Sequence, residues 1–237
     1  MEPFPYPSHY FLRDSHYLKK ELIMSLIVNE IFHSIQGESL YTGIPCIFIR
    51  LTGCNLRCTY CDTEYAYSEG ETKSIESILK EVEQYNCRLV ELTGGEPLLQ
   101  VNTPLLIEKL LISGYKVLIE TNGSIDIGNL NKNCIKIIDI KCPSSGESQK
   151  INFNNINKLS YLDQLKFVIK DKKDYEFTKS FLLKYKPEIP ESNILLSSVA
   201  GELDTAKLAE WIIKDGLNVR LQMQMHKIIW PNIDRGV

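Results

Sequence analysis

The chain has 237 residues and a formal net charge of -3, with 27 basic and 30 acidic side chains and no long block of one sign, which excludes a broad polycationic face for nucleic acid. Hydrophobic residues at 43% and charged residues at 24% are the proportions of a soluble globular protein, which sets disordered and fibrous classes aside. No run approaches the roughly 18 apolar residues of a membrane span, and the opening residues lack the basic head and apolar core of a secretory signal, so one cytoplasmic domain without membrane or nucleic-acid partners is expected.

Residues 1–24 are rich in aromatic residues and proline and show neither helical nor strand periodicity, so they read as an N-terminal extension of unknown role, with Met24 as an alternative start. His9 and His16 fall within it and are given no role. From Ser25 the stretch "SLIVNEIFHSIQGES" alternates like a strand before turning polar.

Short apolar runs then recur at 45–51, 88–93, 115–120, 135–140, 164–170, 193–198 and 218–223, and several are apolar enough to be buried on both faces, as in a parallel sheet. Between them, Ile75, Ile78, Leu79 and Val82 recur at helical spacing after a Ser74 cap. A second helix opens at Thr103 with Pro104 in its first turn, and a third carries Leu208, Trp211 and Ile212 between Asp204 and a Gly216 stop. Alternating strands and helices imply right-handed crossovers and an α/β fold. Six or seven strands are too few for a closed eight-stranded barrel, so residues 25–237 are expected to form a partial parallel β/α barrel of about six strands, open on one side. Ligands gather at the C-terminal ends of such strands. Those ends here read "GCNLRCTYC", "TGGEP", "ETNG" and "DIKCPSSG".

Cys54, Cys58 and Cys61 follow a C-x3-C-x2-C spacing that lets one loop offer sulfur from three directions. A zinc knuckle normally closes with four ligands in paired units, whereas Cys46, Cys87, Cys134 and Cys142 are isolated in the sequence. Three thiolates on a four-iron cube leave one iron open. "LTGGEP" (92–97) taken alone is a tight turn between strand and helix, since Gly94 and Gly95 permit close approaches denied to other residues.

Together, the cysteine spacing and the GGEP loop resemble the radical S-adenosylmethionine superfamily. The resemblance implies a [4Fe-4S] cluster on Cys54, Cys58 and Cys61 whose open iron binds S-adenosyl-L-methionine for reductive cleavage to a 5′-deoxyadenosyl radical, fed by an electron donor such as flavodoxin or ferredoxin. It also implies cofactor contacts at Tyr60, Asp62, Gly94, Gly95, Glu96, Asp139 and Lys141. Glu96 would take the methionine ammonium, and Asp139 stands where relatives often show Ser.

The segments 29–39, 43–63 and 91–100, "ETNG", "KCPSSG" and the tail "QMHKIIWPNIDRGV" are further similar to one branch of that superfamily. In queuosine and 7-deazapurine biosynthesis this branch contracts 6-carboxy-5,6,7,8-tetrahydropterin to 7-carboxy-7-deazaguanine with loss of ammonia. That resemblance implies pterin contacts at Ile35, Gln36, Gly37, Glu38, Arg50, Thr93 and the terminal carboxylate of Val237, Mg2+ on Thr63, and a homodimer. Arg50 would pair with the substrate carboxylate, and Trp230 and Pro231 would stiffen the approach of the tail. His226 matches a tail histidine, with packing and function both open. The alternatives are a glycyl-radical-activating enzyme, which shares the cluster loop, and a non-enzymatic zinc-binding module.

Overall fold

The structure, a computed structural model, describes residues 24–237. The expected extension at 1–24, Met24 apart, lies outside the described residues, as do His9 and His16. Among the described residues, no helix is long and apolar enough to cross a membrane.

A single sheet organises the chain. It opens with β1 (Ser25–Ile35), which turns back as β2 (Pro45–Leu51), and after the cysteine loop adds β3 (Glu71–Ser74). β1 runs antiparallel to both β2 and β3. Parallel strands follow on the other side of β2: β4 (Leu89–Gly94), β5 (Lys116–Thr121), β6 (Ile135–Ile140), β7 (Gln164–Ile169), β8 (Ile194–Ser198) and the two-residue β9 (Arg220–Leu221). The spatial order is β3-β1-β2-β4-β5-β6-β7-β8-β9, with β3 and β9 at its two edges, so the barrel is partial, as expected.

The three expected helices form where their caps lie. α1 (Ile75–Val82) is capped by Ser74, whose hydroxyl accepts from Ser77 N at 3.1 Å. α2 (Thr103–Ile112) carries Pro104 in its first turn. α3 (Lys172–Tyr185) was not apparent from periodicity, because its buried stripe of Asp174, Tyr175, Thr178 and Phe181 is half polar and its exposed face is rich in lysine. α4 (Thr205–Asp215) runs from Asp204, which accepts from Ala206 N at 2.9 Å, to Gly216 in the left-handed region. A short α5 (Met225–Ile229) follows β9. The β5–β6 connection has no helix. Buried Asn155 organises it instead, donating to Gly123 O and Ile125 O and accepting from Ile127 N.

Alternation along each strand sends one set of side chains outward and the next inward. The outward set, including Ile47, Ile49, Val90, Leu92, Val117 and Ile119, packs against α1 to α4 in one continuous core. The inward set changes character along the strand. Near the strand starts, Phe48, Leu89, Leu118, Ile135 and Ile137 join Phe32 and Cys46 in a separate apolar plug, with Phe32 and Phe48 stacked at 4.9 Å. One or two inward positions further on stand Arg50, Glu91, Glu120, Asp139 and Lys166. The open side of the barrel is spanned by loop 36–44. Its Ser39 N donates to Gln222 Oε1 at 2.6 Å, its Leu40 N donates to Gln164 Oε1 at 2.9 Å, and its Gly37 O accepts from Met225 N at 2.9 Å.

Phe48→Ala removes the stacked ring from the centre of the plug and is expected to cost about 3–5 kcal/mol of unfolding free energy in urea titrations. Leu183→Ala on the exposed face of α3 should stay within about 0.5 kcal/mol of the parent. Equal effects of the two changes would show that the interior ring does not anchor the barrel.

Candidate active site

The cysteine loop leaves β2 at the rim and is fastened on three sides. Arg57 Nη1 donates to Cys54 O at 2.9 Å and to Leu56 O at 2.7 Å, which holds the loop to itself. Thr59 donates its hydroxyl to Ser144 O at 2.7 Å, and Arg57 N donates to Glu147 Oε1 at 2.8 Å, which ties it to the loop after β6. Asn55 reaches Ser124 and Asn122 after β5, at 2.8 and 3.0 Å.

The GGEP turn lies directly beneath. A Cβ on Gly95 would stand 2.2 Å from Gly53 O and 2.7 Å from Cys54 Cβ, and one on Gly94, at φ 137°, would stand 2.1 Å from Leu51 O. Glycine is therefore required at both positions by contact with the cysteine loop, beyond the needs of a turn.

All three cysteines are free, partly exposed, and face one cavity of about 230 Å³. Burial raises the Cys54 thiol and raises Cys58 to about 11, against the pull of the nearby Lys141 ammonium, so metal binding has to drive deprotonation. Among the described residues, no three His, Cys, Asp or Glu side chains gather closely enough to hold one metal ion. Three separated thiols on one cavity wall fit a multi-iron cluster and do not present the tetrahedral four-ligand set of structural zinc.

The same cavity takes in the predicted residues Ile35, Gln36, Gly37, Glu38, Arg50, Tyr60, Asp62, Thr63, Thr93, Gly94, Gly95, Asp139, Lys141 and Val237. Glu96 is the exception. It does not line the cavity, because its buried carboxylate accepts from Leu98 N at 3.0 Å, Thr121 Oγ1 at 2.8 and 2.9 Å, and Asn122 N at 2.7 Å. In this conformation Glu96 locks the turn to the end of β5, and the cavity wall here is the Gly94–Gly95 backbone.

Sequence reasoning missed three interior charges: Glu91, Glu120 and Lys166. The Lys166 ammonium lies 2.7 Å from Glu38 Oε2, 2.5 Å from Glu120 Oε1 and 3.6 Å from Asp139 Oδ2. Asp139 Oδ2 also meets Lys141 at 2.8 Å, while Asp139 Oδ1 is buried without a hydrogen-bond partner. Burial pushes the Asp139 carboxyl up, but Lys141 and Lys166 outweigh it and hold it below the usual range. Glu91 is different: burial, reinforced by Glu120, raises it well above the usual range, and it accepts a hydrogen bond from Gln36 Nε2. The signal that could have found these groups is a lone charge inside an apolar strand run, at inward parity and close to the rim.

The tail has an anchor beyond the Trp230 and Pro231 named from sequence. Arg235 pairs with Glu69 at 2.8 and 3.1 Å and stacks 4.0 Å over Tyr65, which brings Val237 to the cavity edge. Lys227 meets Asp62 Oδ2 at 2.6 Å, and Thr63 donates its hydroxyl to Asp62 Oδ1 at 3.0 Å. His226 lines the cavity and packs on Gly37, where a Cβ would come within 2.1 Å of its Nδ1. The packing reading of this histidine is met by its contact with Gly37.

Residues 48–139 match the family model described as the radical SAM superfamily, over the segment that carries both the cysteine loop and the GGEP turn. With three free thiols lining one cavity, this makes the chain a radical S-adenosylmethionine enzyme.

Its relatives narrow the class. The 7-carboxy-7-deazaguanine synthase of Koribacter versatilis is 43% identical over 224 residues, 89% of this chain and 99% of the relative. That of Chlorobaculum tepidum is 40% identical over 90% of this chain and 97% of the relative. The chain belongs to the 7-carboxy-7-deazaguanine synthase family. QueE from Escherichia coli shares the fold, with a TM-score of 0.73 at 24% identity over 87% of this chain and 97% of that one. Streptococcus suis SuiB bound to its precursor peptide shares it more loosely, with a TM-score of 0.53 at 14% identity over 75% of this chain and 48% of that one.

Cys58→Ala is expected to abolish iron incorporation and turnover, whereas Cys87→Ala, whose thiol donates to Pro45 O away from the cavity, should leave both intact. Iron and sulfide analysis after anaerobic reconstitution decides it. Zinc in place of iron, or equal sensitivity of the two variants, would remove the cluster from this loop.

Proposed function

We propose that the chain converts 6-carboxy-5,6,7,8-tetrahydropterin to 7-carboxy-7-deazaguanine and ammonia, with the reaction confined to the cavity between the cysteine loop and the apolar plug. The observation that carries this reading is that Arg50 and the terminal residue Val237 line the same cavity as Cys54, Cys58 and Cys61. A carboxylated pterin has an anionic group at one end and a guanidine-like row of N–H donors at the other. A guanidinium complements the first and carboxylates complement the second.

Each side chain has a definable task. Glu30 holds Arg50 through Nε at 2.7 Å, which fixes the guanidinium plane for a two-pronged contact. Gln36 is oriented at both ends, accepting from Glu38 N at 2.8 Å and donating to Glu91, so its amide can read ring atoms without reorganising. Lys141 and Asp139, paired at 2.8 Å, line the opposite rim, where they would meet the nucleoside part of the cofactor. When bound, the cluster and S-adenosyl-L-methionine supply the hydrogen-abstracting radical, chemistry that no side chain provides. Substrate and product differ by one ammonia, so the conversion is redox-neutral and the abstracted hydrogen has to be returned within the same closed cavity.

Mg2+ would be held at Thr63, a residue lining the cavity whose hydroxyl would supply one hard oxygen ligand beside water and a substrate carboxylate. Asp62 beside it stays ionised: burial would push its carboxyl up, but Lys227 and the Thr63 hydroxyl hold it below the usual range. The same reading carries a one-electron donor such as flavodoxin or ferredoxin, a homodimer, and a cytoplasmic setting in which every described cysteine is free.

The direct test is an anaerobic assay of the reconstituted enzyme with the carboxytetrahydropterin, S-adenosyl-L-methionine, Mg2+ and a reductant. One ammonia per deazaguanine is expected, and cleavage of S-adenosyl-L-methionine with the pterin unchanged would contradict the reading.

A second test uses the chain end. A C-terminal affinity tag converts the Val237 carboxylate to an amide and is expected to raise KM for the pterin about tenfold or more, the scale of one charge-assisted hydrogen bond of about 1.5–3 kcal/mol. A tag at Met1 should leave KM unchanged, and equal KM for the two tagged forms would take Val237 out of the site.

A further inference from the structure

A buried ammonium is costly unless anions surround it. Lys166 sits on the inward face of β7, 6% exposed, and carboxylates reach it from three separate elements: Glu38 from loop 36–44, Glu120 from β5 and Asp139 from β6. Glu38 gathers further donors, Gln224 Nε2 at 2.7 Å and Gln222 Nε2 at 3.3 Å, both from the segment after β9. One side chain thus joins the loop that spans the open side of the barrel, the strands on its far wall and, through Glu38, the tail.

The charge balance is uneven. Glu38, Glu91, Glu120 and Asp139 face the cavity against Lys141 and Lys166, with His226 at its edge and Arg50 already paired to Glu30. Glu38 and Glu120 have no other basic partner among the described ion pairs, so Lys166 is their counter-ion.

We infer that Lys166 is a positioning residue for pterin recognition, holding Glu38 as an anion aimed at the N–H edge of the ring and locking loop 36–44 over the substrate. The inference rests on the pterin reading above. Burial alone would push the Glu38 carboxyl up, and Lys166, with help from Gln224 and His226, brings it below the usual carboxylate range. Without Lys166 only the upward push and the weaker partners remain, so Glu38 takes up a proton as pH falls through the mildly acid range and loses its acceptor character. Lys166 also bears on its neighbours Glu91, Glu120, Asp139, Lys141 and His226, so the difference between the two profiles reports the charge cluster that Lys166 organises, with Glu38 as its member on loop 36–44.

The test is equilibrium binding of the stable aromatic analogue 6-carboxypterin to cluster-loaded protein with S-adenosyl-L-methionine, followed by fluorescence from about pH 8 to about pH 5. Wild type should bind with little pH dependence on the acid side. Lys166→Met should bind about tenfold or more weakly at neutral pH, and should weaken further as pH falls. Because Lys166→Met leaves buried anions uncompensated, the charge-matched variant Lys166→Met with Glu120→Gln is measured beside it, with circular dichroism to verify folding. The double variant should fold like wild type and keep both the weakened binding and the acid-side loss. Wild-type binding with unchanged affinity and pH profile in the folded double variant overturns the inference alone. Failure of wild type to bind the pterin overturns the substrate reading and the inference with it.

Discussion

The exit of β4 passes under the cysteine loop with no room for a side chain. Gly94 and Gly95 lie against Leu51 and Gly53 so closely that a single methyl group at either position would overlap backbone oxygen. This contact sets the height of the cysteines above the sheet, and Glu96 fixes it from behind by binding Leu98, Thr121 and Asn122. The usual description of such a turn as flexible misses the point here. Its glycines are needed because two loops are pressed together, and the result is a rigid wall on which a cofactor can lie.

Below that wall the interior separates by polarity along the strands. Phe32, Phe48, Leu118 and their neighbours fill the lower barrel and exclude water, while the next inward positions carry Arg50, Glu91, Glu120, Asp139 and Lys166. Charges placed against an apolar floor interact more strongly than they would in water. The carboxyls are accordingly divided: Lys141 and Lys166 hold Asp139 below the usual range, whereas burial, reinforced by Glu120, raises Glu91, which accepts from Gln36, well above it. In the proposed reading these anions and the guanidinium of Arg50 form the receptor for a ring that is itself part donor, part acceptor and part anion.

Much of this was legible in the sequence, for identifiable reasons. Seven apolar runs became the seven parallel strands because a sheet buried on both faces demands continuous apolarity, and Ser74, Asp204 and Gly216 marked helix ends by cap chemistry. The cysteine spacing and the GGEP turn are local, so their chemistry survives in a linear reading. α3 was hidden because its buried stripe includes Asp174 and Thr178, which dilute the apolar period. Lys166, Glu91 and Glu120 were hidden for a different reason. Lys166 meets Glu120 and Glu38 across 46 and 128 residues of chain, and Glu91 meets Gln36 across 55, and only closure of the sheet brings them together. The Arg235 anchor of the tail was hidden likewise, since its pairing with Glu69 spans 166 positions.

The central proposal is that the cavity lined by Cys54, Cys58, Cys61, Arg50 and Val237 takes a single pterin. A crystal structure of the anaerobically reconstituted protein with S-adenosyl-L-methionine and 6-carboxypterin tests it most directly. The account predicts the pterin carboxylate in two-pronged contact with Arg50 and the opposite ring edge within hydrogen-bond distance of the Val237 carboxylate. A pterin bound in the reverse orientation, or outside the cavity that the three cysteines line, would contradict it.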